Sequence, residues 1–156
     1  MEKLKNSIVL GDCLEVMRGM PDNCVDVVLT DPPYFKIVAN EWDRQWKTLD
    51  EFQKWVGGIG SELRRIMKPA ASLYWFCDDN VAAYVQTELD KYFKLLNALV
   101  WKKPTSLSLK NIANLRSFAP ITERCLFYEM DAAPGLAATG LEAIHSDPSC
   151  FSSIKK

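Results

Sequence analysis

Residues 25–35 read VDVVLTDPPYF, an apolar run that ends abruptly in an acid, two prolines and two aromatic residues. The apolar run over residues 25–29 is short and rich in valine, which is typical of a buried β-strand. Proline has no N–H to donate to a neighbouring strand, so the strand must end before Pro32. The stretch therefore predicts a buried strand that presents Asp31 and Tyr34 at its carboxyl end.

The rest of the chain alternates predicted strands with predicted helices. Thr48 followed by Glu51 has the pattern of a capping box, and apolar residues continue at helical spacing up to Met67. A brief helix is expected near residues 14–17, and Asp79-Asn80 is expected to cap another. Short apolar runs predict further strands over residues 7–10, 71–77, 95–101 and 124–129. This alternation predicts an α/β fold with a mainly parallel sheet and flanking helices.

Polar residues follow four of the predicted strands. In open α/β sheets, ligands bind beyond the carboxyl ends of the strands. Asp12, Asp31, Asp78 and Lys102 all stand at or just beyond such an end. We therefore expect these side chains to share one edge of the sheet.

Length and composition exclude several classes of protein. With 156 residues, 48% of them hydrophobic and 25% charged, the chain suits one globular domain rather than a disordered segment. No apolar run reaches membrane-spanning length, the first residues lack the apolar core of a secretory leader, and the five cysteines show no zinc-binding spacing. We therefore expect a cytoplasmic protein with reduced cysteines, no metal site and no membrane association.

The turn at residues 31–34 has the chemistry to hold an aromatic amine. Two prolines make it rigid and leave its carbonyl oxygens free to accept hydrogen bonds. Asp31 adds a carboxylate acceptor, and Tyr34 adds a flat ring. Two acceptors beside a stacking surface can bind both N–H groups of a nucleobase amine, which frees the nitrogen lone pair for attack.

The segments GDCLEVM (residues 11–17) and MPDNCVDVVLTDPPYF (residues 20–35) resemble the amino-terminal part of S-adenosylmethionine-dependent DNA amino-methyltransferases. The resemblance continues in the same order through residues 62–76, 99–103 and 122–128, so that it covers roughly residues 6–130. It implies a Rossmann-like methyltransferase fold, DNA as the substrate and S-adenosylmethionine as the cofactor. The Asp-Pro-Pro-Tyr form is the usual one for methylation of adenine N6, and cytosine N4 remains the alternative target.

The resemblance also implies catalytic roles for four consecutive residues. Asp31 and the carbonyl group of Pro32 would hold the target amino group, and Pro33 would keep the turn rigid. Tyr34 would stack on the base, which must first be flipped out of the double helix. Methyl transfer would then be a direct displacement without a covalent enzyme intermediate, catalysed by positioning and electrostatics.

The implied cofactor site draws on two separate segments. Asp12 would accept a hydrogen bond from the adenine amino group of the cofactor, and the backbone N–H of Cys13 would lie beside it. Asp31 borders the same site, and Phe35 would pack beside the cofactor or the base.

Basic residues are concentrated in one part of the chain. Residues 91–124 contain seven lysines and arginines against the single acid Glu123, although the net charge of the chain is −1. Within this segment, the residues expected to contact DNA phosphates follow a predicted strand end: Lys102, Lys103, Lys110 and Arg116.

One feature of the family pattern is missing. The family carries a glycine-rich loop for the methionine part of the cofactor, and neither residues 57–60 nor residues 135–140 have its form and position. We therefore expect an incomplete fold in which the strand over residues 7–10 leaves an apolar edge of the sheet exposed. A homodimer or a complementing methyltransferase chain could cover that edge.

The expected organisation is a partial catalytic domain over residues 1–130. Residues 131–156 form either an irregular tail or the start of a region that recognises the DNA target. Two alternatives to an active DNA methyltransferase remain: an inactive remnant that binds DNA or a partner subunit, and a relative that acts on RNA or a protein glutamine.

Overall fold

The computed structural model describes residues 5–36, 41–103 and 121–130. Three helices and four strands alternate along these residues, with a 3-10 turn at Glu41–Asp43. No helix in these three ranges is long and apolar enough to cross a membrane. In chain order the elements are α1 (Cys13–Arg18), β1 (Val25–Thr30), α2 (Leu49–Ile66), β2 (Met67–Cys77), α3 (Ala82–Leu89), β3 (Lys94–Lys102) and β4 (Thr122–Glu129).

The four strands form one sheet in the order β1-β2-β4-β3. β1 pairs with β2 in parallel, whereas β4 pairs antiparallel with both β2 and β3. The α/β class is thus confirmed, and the sheet is mixed rather than mainly parallel. Because only β4 runs the opposite way, the carboxyl ends of β1, β2 and β3 still lie at one edge.

The strand predicted over residues 7–10 is wrong, because this segment forms no strand. The side chains of Ile8 and Leu10 are fully exposed. A strand needs a partner on at least one side, and among the described strands β1 pairs only with β2. The exposed apolar edge that the sequence predicted therefore lies at β1, where Val27 is 59% and Leu29 is 69% exposed.

Helix α2 begins at the predicted cap. The Thr48 hydroxyl accepts a hydrogen bond from the Glu51 N–H at 3.2 Å, and the Glu51 carboxylate accepts one from the Lys47 N–H at 2.7 Å. The helix ends at Ile66, and the chain enters β2 at once, four residues before the predicted strand. A shift in the β1–β2 register accommodates Pro69, which cannot donate to the ladder.

The predicted cap of α3 is also corrected. Val81 occupies the cap position without a side-chain hydrogen bond, while the Asp78 carboxylate accepts from the Asn80 N–H at 2.9 Å. Asp79 instead forms an ion pair with Arg124 of β4.

The core lies between α2 and one face of the sheet. Alternate residues of the central strands point to this face and are almost fully buried, among them Leu73, Trp75 and Tyr128. Helix α2 contributes Phe52, Val56, Ile59, Leu63 and Ile66, all of them buried. Each such side chain stabilises the fold by roughly 1.5–3 kcal/mol on burial, so α2 contributes a large share of the core.

Candidate active site

The loop that follows β1 exposes a carboxylate beside an aromatic ring. Asp31 is exposed, and its Oδ1 accepts a hydrogen bond from the Tyr34 hydroxyl at 2.5 Å. Burial of the ring, and then this bond to Asp31, raise the pKa of the Tyr34 hydroxyl above its usual range. The hydroxyl therefore stays protonated and keeps donating to Asp31.

A buried aspartate, which the sequence analysis did not identify, holds the backbone of this loop. Asp43 is fully buried, and its Oδ1 accepts a hydrogen bond from the Tyr34 N–H at 2.7 Å. Its carbonyl oxygen accepts a second one from the Lys36 N–H at 2.8 Å. A charged residue between tryptophans, in the segment EWDRQW, was the available signal for a polar group inside an aromatic cluster.

Phe35 points away from the exposed side of the loop. Its ring stacks on Phe52 at a centroid distance of 5.3 Å, and the ring of Trp46 contacts Phe52 from its edge at 5.1 Å. The Lys36 ammonium group lies 4.8 Å from the Phe35 centroid. Phe35 thus anchors the loop to the core, and contact with a cofactor or a base remains a prediction.

A cavity of about 320 Å³ lies between α1, α2 and the end of β1. Its lining brings together Cys13, Pro32 and Pro33, with Thr30 and the indole rings of Trp55 and Trp75. Three of the predicted site residues therefore meet at one cavity. The other predicted residues of this region, Asp12, Asp31, Tyr34 and Phe35, are not part of the lining.

Asp12 precedes this cavity at the start of α1. Its Oδ1 accepts from the Glu15 N–H at 3.1 Å and so caps the short helix. Partial burial, and then the charge of Asp12, raise the pKa of the Cys13 thiol. The thiol is therefore less readily ionised than a free cysteine.

Arg65 links α1 to the end of α2. Its guanidinium donates to the Met17 carbonyl at 2.7 Å and to the Met20 carbonyl at 2.9 Å. It also pairs with Asp22 at 2.6 Å and with Glu62 at 2.8 Å. A planar cation with five donors can bridge these groups at once, so Arg65 fixes α1, and with it Cys13, beside the core.

The basic segment is partly neutralised within the chain. Lys103 pairs with Glu123, and Arg124 pairs with Asp79, whose pKa is lowered by this hydrogen bond and by a second one from Thr122. Lys102 is exposed at the same edge of the sheet and forms no ion pair with any residue that the structure describes. Two of the predicted DNA contacts, Lys110 and Arg116, lie outside the described residues.

Comparison with known proteins gives one family match. The model of a family described as DNA methylase matches residues 25–149 of the chain. The type II methyltransferase M.BglII of Bacillus subtilis is 29% identical in an alignment of 114 residues that covers 65% of this chain and 30% of the relative.

Two solved structures share the fold. TTHA0409 of Thermus thermophilus, solved in complex with S-adenosyl-L-methionine, superposes with a TM-score of 0.61 at 20% identity, over 83% of this chain and 55% of that one. The cytosine-N4-specific PvuII DNA methyltransferase gives a TM-score of 0.61 at 17% identity, over 79% and 48%. This chain thus spans about half the length of these structures and about a third of M.BglII.

Proposed function

The chain belongs to the N6/N4 family of DNA methylases, and from this premise we propose that it transfers a methyl group from S-adenosylmethionine to the exocyclic N6 of a flipped adenine in DNA. The observation that carries the proposal is the exposed Asp31 carboxylate, whose partner is the Tyr34 hydroxyl at 2.5 Å. An amino group would offer the same kind of donor in place of that hydroxyl. The catalytic set is Asp31, Pro32, Pro33 and Tyr34.

The chain's own residues bind and orient the amine. Asp31 and the Pro32 carbonyl accept its two N–H groups, and the ring of Tyr34 stacks on the flipped base. Holding both hydrogens disfavours conjugation of the nitrogen lone pair with the ring, so the lone pair could attack the methyl group as its bond to the sulfonium sulfur breaks. The methylated nitrogen would then lose one proton to the Asp31 carboxylate or to solvent. S-adenosylmethionine, when bound, supplies the activated methyl group. The contribution of the protein is positioning and electrostatic stabilisation.

The residues around Cys13 fit the adenine part of the cofactor. The apolar cavity beside Cys13 suits a planar ring, and among the described residues none bonds to Oδ2 of Asp12. That oxygen can accept from the adenine amino group of the cofactor. The three glycines at residues 57, 58 and 60 all lie inside α2, so they do not cradle the methionine part.

DNA would approach the edge of the sheet where β1 and β3 end. Lys102 is exposed there, and Lys103 follows it in an ion pair with Glu123. Together with Lys110 and Arg116, these residues would bind backbone phosphates and orient the duplex without reading its sequence.

A complementing methyltransferase chain would complete the sheet beside β1. The edge at Val27 and Leu29 is apolar and unpaired in the described residues, and the matched part of this chain covers only 55% of a solved structure that shares the fold. A polypeptide that adds strands at this edge would also supply a site for the methionine part of the cofactor. We propose this assembly and a cytoplasmic location for the protein.

A transfer assay tests the function directly. The chain is incubated with tritiated S-adenosylmethionine and unmethylated genomic DNA, and the DNA is then digested to nucleosides for mass spectrometry. We expect N6-methyladenine. N4-methylcytosine would instead assign the chain to the cytosine-specific branch. No incorporation, together with no rise of the melting temperature on addition of cofactor, would leave the inactive remnant.

A further inference from the structure

We propose that Asp43 is the positioning residue of the loop after β1, and that its buried carboxylate determines where Asp31 and Tyr34 stand. The proposal rests on the proposed function, because it concerns how the same site is held in its working shape. Asp43 does not touch the reacting groups and acts through the backbone of Tyr34.

Two of the few amide groups in the loop are bound by this one residue. Pro32 and Pro33 have no N–H, so only four residues of the segment 31–36 can donate from the backbone. Tyr34 donates to the Asp43 carboxylate at 2.7 Å, and Lys36 donates to the Asp43 carbonyl at 2.8 Å. Asp43 therefore holds the backbone of the loop at two points, while the ring of Phe35 packs on the core.

The loop needs an anchor because its backbone is strained. Phe35 and Lys36 both adopt the left-handed conformation, with φ angles of 63° and 65°. Each such residue is strained relative to ordinary backbone. A hydrogen bond to a carboxylate is among the stronger hydrogen bonds in proteins, so the bond to Asp43 offsets part of this strain.

Asp43 and Asp31 both bind Tyr34. The Tyr34 N–H donates to the Asp43 carboxylate at 2.7 Å, and the Tyr34 hydroxyl donates to the Asp31 carboxylate at 2.5 Å. A shift of Tyr34 therefore moves the ring and the partner of Asp31 together. Because a displacement of about 1 Å can lower a transfer rate by about 100-fold, the burial of Asp43 has a direct consequence for catalysis.

Amide hydrogen exchange measured by NMR tests the anchor in the free chain. In Asp43→Ala we expect the Tyr34 N–H to exchange at least about tenfold faster, because it loses a charge-assisted bond. In Asp43→Asn, whose amide oxygen can still accept, the exchange should stay closer to that of the wild type. Asp50→Ala is the matched control, because it removes an exposed acid at the start of α2 whose ion pair, within the described residues, is with Lys54 at 2.7 Å.

Methyl transfer to unmethylated genomic DNA supplies a second measurement. We expect Asp43→Ala to lower kcat by about 100-fold with little change in KM for S-adenosylmethionine, and Asp43→Asn to recover part of the loss. Asp50→Ala should leave both constants unchanged.

Two results would overturn the proposal. One is unchanged Tyr34 exchange in both Asp43 variants while the free energy of unfolding is also unchanged. The other is a fall in cofactor affinity equal to the fall in kcat. If Asp43→Ala does not fold, the isosteric Asp43→Asn decides, because its weaker neutral acceptor should still give faster Tyr34 exchange and a lower kcat than the wild type; wild-type values of both would overturn the proposal. If the wild type transfers no methyl group but the Tyr34 exchange responds as expected, the anchor stands and the proposed function fails.

Discussion

The carboxylate of Asp31 is already hydrogen-bonded in the free protein. Its partner, the Tyr34 hydroxyl, is kept protonated by burial, and the two oxygens lie 2.5 Å apart. An incoming amine would replace one donor with another, so binding need not leave the carboxylate without a partner. Tyr34 would thus have two roles in the proposed site. Its ring would stack on the base, and its hydroxyl would donate to the Asp31 carboxylate until the base binds.

The first prediction concerns Asp31 itself. Asp31→Ala removes the principal acceptor of the amine, so we expect methyl transfer to fall by about 100-fold or more, with little change in the dissociation constant of S-adenosylmethionine. Filter-binding transfer assays and titration calorimetry measure the two quantities. Asp26→Ala is the control, because Asp26 is an exposed acid of β1, the strand that Asp31 follows, and its partner is Lys68. Near-normal turnover in Asp31→Ala would refute the role of this carboxylate.

The second prediction concerns stability at alkaline pH. Burial raises the pKa of the Cys77 thiol to about 12, whereas an unfolded cysteine ionises at about 8.5–9. The folded state therefore holds this proton more tightly, so its stabilising contribution is complete below about pH 8.5 and is lost as the pH rises towards 12.

Urea unfolding at pH 8 and pH 10.5 measures this effect. Between these two values the wild type should lose about 2 kcal/mol more stability than Cys77→Ala, which has no thiol to ionise. The comparison with Cys77→Ala is needed because burial also raises the pKa of Tyr34 and Tyr128. Both proteins contain these tyrosines, so only the difference between their losses of stability reports on Cys77. Equal losses in the two proteins would contradict the assignment to Cys77.

Among the elements, α2 connects the site to the rest of the fold. Its first turn lies beside the aromatic cluster that anchors Phe35, its middle faces the sheet, and Arg65 in its last turn binds α1. Close contact with the segment after α3 requires a glycine on this helix. A Cβ atom at Gly60 would lie 2.8 Å from the Tyr92 ring, whereas one at Gly58 would meet nothing within 4 Å.

The third prediction compares these two glycines. Gly60→Ala should lower the free energy of unfolding by about 1–3 kcal/mol, because the added methyl group overpacks the contact with Tyr92. Gly58→Ala should raise it by about 0.5–1 kcal/mol, because alanine is the better helix former at an open position. Denaturant unfolding of both variants measures the difference. If both variants were destabilised, the cause would lie in α2 itself rather than in the contact between Gly60 and Tyr92.

At the scale of the whole molecule, β1 is an edge strand among the strands that the structure describes. It exposes Val27 and Leu29, and Ile8 and Leu10 are fully exposed in the segment before α1. An unpaired apolar strand edge is a template for association with other chains. The same edge is next to the cavity beside Cys13, so whatever covers it also borders the proposed cofactor site.

The fourth prediction concerns this edge. Purified without a complementing chain, the protein should self-associate in a concentration-dependent way, and Leu29→Lys should weaken the association by at least about tenfold, because lysine on an edge opposes pairing. Sedimentation equilibrium measures the association. Tyr84→Lys serves as the control, since Tyr84 is a 43% exposed aromatic residue on α3. A monomeric wild type at high concentration would show that the edge does not associate by itself.

The sequence alone determined the elements that depend on local chemistry. The strand at β1 and its end before Pro32 follow from an apolar run and two prolines, and the start of α2 follows from a capping pair and a helical period. The family resemblance of the segment through Phe35 is also a property of the sequence, and the match to DNA methylases confirms it.

Only the tertiary structure decided which distant groups meet. The insertion of β4 between β2 and β3, the failure of residues 7–10 to form a strand, the pairing of Asp79 with Arg124 and the burial of Asp43 beneath Tyr34 were not predicted. Each of them depends on residues far apart in the chain, or on whether a neighbouring strand is present to pair with. Propensity and periodicity describe a residue and its near neighbours, whereas strand pairing and the desolvation of a charge depend on the packing of the whole molecule.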